Sequence, residues 1–133
     1  MRKIFILLPL LAIILFSCIK EPKGKICTEE FRSLTVNIKD QAAKPVVLDS
    51  GYTLIVSTNS KISPMPPFAE LTPGTYVIFS DSHQTLIPEN KNSQIRFVGF
   101  KGADKVVDEP YVVTQDGCHV SLVSGKTDIT ITQ

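Results

Sequence analysis

The chain contains no tryptophan, only three tyrosines and two histidines among its 133 residues. Without tryptophan, and with so little tyrosine, it is poorly supplied with the flat amphipathic rings that sugar-stacking surfaces use. Charge of one sign is missing too: 14 basic and 13 acidic residues leave a formal net charge of +1. That balance gives no electrostatic footprint for nucleic acid and no polybasic patch for anionic lipid. Walker and dinucleotide glycine patterns are absent, as are a G-x-S-x-G nucleophile elbow and a C-x-x-C pair. The longest apolar run falls short of the roughly 20 residues a spanning helix needs.

That run is nonetheless informative. Met1-Arg2-Lys3 puts two positive charges before an apolar stretch from Ile4 to Phe16, interrupted by Pro9. These are the n-region and h-region of a secretory signal. The stretch ends in Leu15-Phe16-Ser17-Cys18, which resembles the lipobox of bacterial lipoproteins. The resemblance implies that residues 1–17 are a lipoprotein signal peptide and that Cys18 is acylated and becomes the new N-terminus. The membrane is then held through lipid on Cys18, where two acyl chains suffice for stable anchoring. Cleavage before Cys18 removes Arg2 and Lys3, leaving 12 basic against 13 acidic residues and a net charge of −1. Residues 18–26, ending in a polar stretch with Pro22 and Gly24, form the lipidated N-terminus and a short tether.

Two further cysteines remain, Cys27 and Cys118. An even pair in an exported chain is most simply a disulfide, because the compartment is oxidising. A metal site with His119 or a redox pair are the alternatives.

From Phe31 onward, period-2 alternation dominates and no amphipathic helix stands out. Leu34, Val36 and Ile38 alternate with polar residues. Tyr52, Leu54 and Val56 alternate with Thr53 and Ser57. Further strands are expected at 76–80, 94–100, 111–114, 118–123 and 127–132, separated by Gly, Asp, Asn and Pro. Short strands at this spacing predict an all-β domain over residues 27–133: a single Ig-like or transthyretin-like β-sandwich of about seven strands with Greek-key connections.

Val36-Asn37-Ile38-Lys39-Asp40 with Lys44-Pro45-Val46, and Leu71-Thr72-Pro73-Gly74-Thr75-Tyr76, resemble the first strand and the L-x-P-G-x-Y segment of carboxypeptidase-regulatory-like domains. The resemblance implies a transthyretin-like sandwich that acts mostly as a non-catalytic module. Related pilin-type domains carry a Lys–Asn isopeptide bond with the Asn near the last strand. No Asn follows Asn92 here, so that chemistry is not carried over.

Candidate chemistry is sparse. Ser80-Asp81-Ser82-His83 collects three triad residue types, but triad members meet in space from separate elements, and His83 reads as a turn histidine. His119 reads as a strand-surface or half-buried histidine aimed away from Cys118. Asp104, Asp108, Glu109 and Asp116, with Glu29 and Glu30, read as solvated charges and lack the spacing of a calcium loop. The segment 61–73 carries Ile62, Met65, Phe68 and Leu71 among four prolines. It is either a docking surface, with Met65 and Phe68 as a binding loop, or a crossover that plugs the sandwich end. The expected function is a non-enzymatic envelope lipoprotein presenting a binding or structural module to a protein partner, without cofactor or metal. The alternatives are a small-ligand or glycan carrier using the sandwich end loops, and a hydrolase with a cryptic site built from Ser82, His83 and a distant carboxylate.

Overall fold

The computed structural model describes residues 24–63 and 72–132. Cys18, the signal peptide, most of the tether, Met65 and Phe68 lie outside the described residues.

Eight strands form two sheets. They are β1 (Ser33–Lys39), β2 (Ser50–Ile55), β3 (Ser60–Ile62), β4 (Thr75–Ser80), β5 (Ser93–Lys101), β6 (Asp104–Gln115), β7 (Val120–Ser124) and β8 (Asp128–Thr130). One sheet has the order β4-β1-β8 and the other β3-β2-β5-β6-β7. All neighbouring pairs are antiparallel except β1 with β8. The all-β sandwich expected from the alternation is present, with one strand more than expected. The addition is β3, three residues long, which folds back on β2.

The core lies between the sheets. Val36 and Ile38 of β1, Tyr76 and Ile78 of β4 and Ile129 face Ile55, Ile95, Phe97, Tyr111 and Val113 of the larger sheet. The Tyr76 and Phe97 rings meet across the layers with centroids 6.0 Å apart. On β2 the alternation runs in the opposite phase to its most apolar residues: Thr53 and Ile55 are fully buried while Val56 is exposed. Thr53 is tolerated inside because of a bulge. Between β1 and β4 the register slips so that Ile78 has no partner on β1, and its carbonyl accepts from Thr53 Oγ1 at 2.7 Å. A buried hydroxyl and a bulged carbonyl satisfy each other across the sandwich.

The Pro-Gly segment forms the turn its sequence requires. Thr75 N donates to Thr72 O at 3.2 Å, and Gly74 has φ +79°, the i+2 geometry of a type II turn with Pro73 at i+1. A Cβ on Gly74 would also lie 2.7 Å from the Ile38 carbonyl. The turn delivers Tyr76, whose hydroxyl accepts from the amide of Leu48.

β6 is far longer than the 111–114 segment expected. It runs through Asp104, Lys105, Asp108, Glu109 and Pro110, antiparallel to β5 from Asp104 to Val113. Because β7 pairs with β6 only from Val112 onward, residues 104–111 form a sheet edge. Charged side chains and proline are what such an edge tolerates.

Candidate functional site

The N-terminal strap, residues 24–32, crosses one end of the sandwich and is fastened there. Cys27 and Cys118 form a disulfide with Cα atoms 5.4 Å apart, closing a sequence separation of 91 residues. Asp116 prepares this corner, because its Oδ1 accepts from the amides of Cys118 and His119, both at 2.8 Å. Those two amides hold its carboxyl below the usual range.

Beside the disulfide lies a buried polar cluster. His119 Nδ1 is 2.9 Å from Asp81 Oδ2, and His119 Nε2 is 2.8 Å from Thr28 Oγ1. Asp81 also accepts from the amide of Arg32 at 2.8 Å and from that of Val120 at 2.7 Å. The side chains of His119 and Asp81 are only 9% and 10% exposed. Burial pushes the Asp81 carboxyl up, but the imidazole and the two amides outweigh it, so the group titrates below an ordinary aspartate. The hydrogen-bond pattern assigns the neutral ring a proton on Nδ1, donated to Asp81, leaving Nε2 to accept from the threonine hydroxyl. One carboxylate thereby joins the strap, the end of β4 and the start of β7.

This arrangement changes the reading of both histidines. His119 is buried, precedes β7 rather than sitting within it, and reaches Thr28, the strap residue next to the cysteine that its own neighbour Cys118 binds. His83 lies in a 3₁₀ helix, Asp81–Leu86, rather than a simple turn. Its Nδ1 is 3.1 Å from Ser80 Oγ and its ring packs on Phe79, with burial lowering its pKa. Ser82 is exposed, Ser80 is fully buried and Asp81 is committed to His119. The Ser80–His83 run is thus dispersed over different partners. The hydroxyl–imidazole–carboxylate order appears elsewhere, at Thr28, His119 and Asp81, whose members are far apart in sequence. Among the described residues no cluster of three or more metal-ligating side chains occurs.

A second feature lies on the outer face of the larger sheet. A hollow of about 410 Å³ is lined by Leu54, Val56, Pro110 and Val112, with Gln94 and Arg96 among its polar members. Its wall at one side is Ser124 and Gly125, where the chain leaves β7. Gly125 is required there: at φ +138° it crosses the Tyr111 ring, and a Cβ would lie 2.1 Å from Tyr111 Cδ1. The Tyr111 hydroxyl donates to Lys126 O at 2.8 Å, and burial, with Glu109 nearby, raises its pKa. Asp108 meets Arg96 at Nε on one oxygen and Lys105 Nζ on the other. These contacts lower the Asp108 pKa and raise that of Arg96.

Alternation alone did not mark Arg96 or Asp108, because Arg96 is an outward position of the strand expected at 94–100 and Asp108 reads as a solvated charge. The signal available was Pro110 beside apolar Val112, facing Leu54 across β5. No family model matches the chain, and neither curated proteins nor solved structures provide a match.

Proposed function

We propose that this chain is a bacterial envelope lipoprotein, anchored through lipid on Cys18, that presents a non-catalytic β-sandwich to a protein partner outside the cytoplasm. The observation that carries the reading is the disulfide at Cys27, nine positions beyond Cys18 and placed where the tether meets the domain. Such a bond belongs to an oxidising compartment. Its position passes tension on the tether to the β6–β7 corner instead of peeling β1 from its sheet. The Thr72–Thr75 turn and its delivery of Tyr76 support a relationship to carboxypeptidase-regulatory-like domains, which act mostly as non-catalytic modules.

The test is intact mass of the protein extracted from its native membrane, with and without reduction and alkylation. A mass matching acylated Cys18–Gln133, with two alkylation sites appearing only on reduction, supports the reading. An unlipidated mass ends it. Cross-linking in intact cells then identifies the partner, and repeated recovery of no envelope protein counts against a binding role.

A second reading, a hydrolase, is favoured by the Thr28–His119–Asp81 order, in which Nε2 polarises an exposed hydroxyl. A phosphonylating probe that labels Thr28 in the intact protein, and not in H119Q, supports it. Absence of labelling removes it.

A further inference from the structure

The hollow on the outer face of the larger sheet has the composition of a small-molecule site rather than of an ordinary solvated face. Ligand sites are concave, mostly apolar and hold a few placed polar groups. Here Leu54 of β2, Pro110 and Val112 of β6 and Val56 supply the apolar wall. They belong to one face because they are cross-strand neighbours: Arg96 lies opposite both Leu54 and Pro110, and Gln94 lies opposite Val112.

The charge at the rim is arranged and not merely present. Asp108 contacts Arg96 at Nε with Oδ1 and holds Lys105 with Oδ2. No other described residue accepts from the two terminal nitrogens of the Arg96 guanidinium. Asp108 itself is only 24% exposed, so it acts as a fixed post against one edge of the guanidinium. Arginine recognises a carboxylate through a planar pair of N–H donors. Pinned along the Nε edge, Arg96 keeps a donor edge of its fork open beside an apolar wall. The rim trio of Arg96, Lys105 and Asp108 carries a net charge of +1, which complements a monoanion.

We infer that this hollow is a binding site for a small apolar monocarboxylate, an acyl or aryl acid whose hydrocarbon part lies on Leu54, Val56, Pro110 and Val112 and whose carboxylate pairs with Arg96. The Gln94 side chain, exposed on the same face, provides a further amide donor at the rim. Asp108 and Lys105 are positioning residues, since they set the guanidinium without touching the ligand. The site stands independently of the lipid anchor on Cys18 and uses the sheet face, not the end loops.

The experiment titrates the full chain, isotope-labelled on methyl groups, with three molecules of one shape: 4-butylbenzoate, 4-butylbenzyl alcohol and 4-butylbenzylammonium. Methyl shifts are followed at Leu54, Val56 and Val112. The benzoate is expected to bind roughly tenfold more tightly than the alcohol, with the ammonium weaker still, the difference a charge-assisted pair supplies at a partly exposed site. R96Q is expected to reduce the benzoate to the level of the alcohol, while R96K, which keeps the charge and loses the fork, falls between. D108N is expected to narrow the preference by freeing the guanidinium. Equal binding of acid and alcohol, shifts confined to other methyls, no shift at all, or an R96Q protein that folds and keeps the preference would each overturn the assignment. Failure here leaves the intact-mass result untouched, and an unlipidated mass leaves this titration untouched.

Discussion

Replacing Asp81 by asparagine tests the reasoning about the strap most directly. The substitution keeps the shape and removes the charge. Asp81 now accepts from the Arg32 amide, the Val120 amide and His119 Nδ1. Asparagine retains one acceptor oxygen and turns a donor toward the other partners. The imidazole can reverse its tautomer, accept from the new amide and donate Nε2–H to Thr28. The Arg32 amide has no such remedy, so the loss falls there and on the charge-assisted character of the remaining bonds. Hydrogen bonds to charged groups contribute about 1.5–3 kcal/mol, which places D81N roughly 2–3 kcal/mol below wild type near neutral pH.

The difference carries a pH signature. The folded pKa of Asp81 is depressed, so its contribution is fully present above the unfolded value near 4 and is lost as pH falls through the lower folded value. Urea unfolding of both proteins at pH 7, 5, 4 and 3 measures it. Subtracting the two curves removes what Asp49 and Asp108, whose pKa values are depressed and which do not touch this cluster, contribute to both. The gap is expected to close below about pH 4. A gap that stays constant to pH 3, or no gap at neutral pH, would show that the Asp81 charge does not hold the strap.

Three further variants test other links. C27S/C118S is expected to lower stability by up to about 4–5 kcal/mol, the chain-entropy value for a loop of this length, and by less where the freed strap frays; a thermal midpoint unchanged in the double variant would refute a structural role. T53V, nearly isosteric, leaves the Ile78 carbonyl without its partner and is expected to cost about 1–3 kcal/mol in chemical unfolding, whereas a neutral result would mean that the bulge relaxes. G125A drives a methyl group into the Tyr111 ring at a positive φ and is expected to cost roughly 2–4 kcal/mol, with a loss under about 0.5 kcal/mol showing that the crossing is not held tightly.

Some of this protein was fixed by local chemistry that a sequence states openly. The type II turn at Thr72–Thr75 follows from Pro73 and Gly74 alone, since φ near −65° and φ above zero are the conformations those two residues favour. The inward set Val36, Ile38, Tyr76 and Ile129 follows from period-2 alternation, and an even pair of cysteines made a Cys27–Cys118 disulfide the simplest of the readings open to them. Other features came only with tertiary structure. The phase of β2 defeated hydropathy because Thr53 is buried by a hydrogen bond to a bulge in the opposite sheet, and a bulge leaves no mark in composition. The length of β6 was hidden by Asp104 to Pro110, which sit on an edge, and edge status is a property of the sheet. The Thr28–His119–Asp81 cluster joins residues 38 and 91 positions apart, and the Arg96 hollow joins residues of four strands. No periodicity along one chain records which side chains meet when two sheets close on each other. Sequence by itself decided the layers and the turn; the folded chain brought Cys27 to Cys118 and decided which polar groups are buried and which carboxylate meets Arg96.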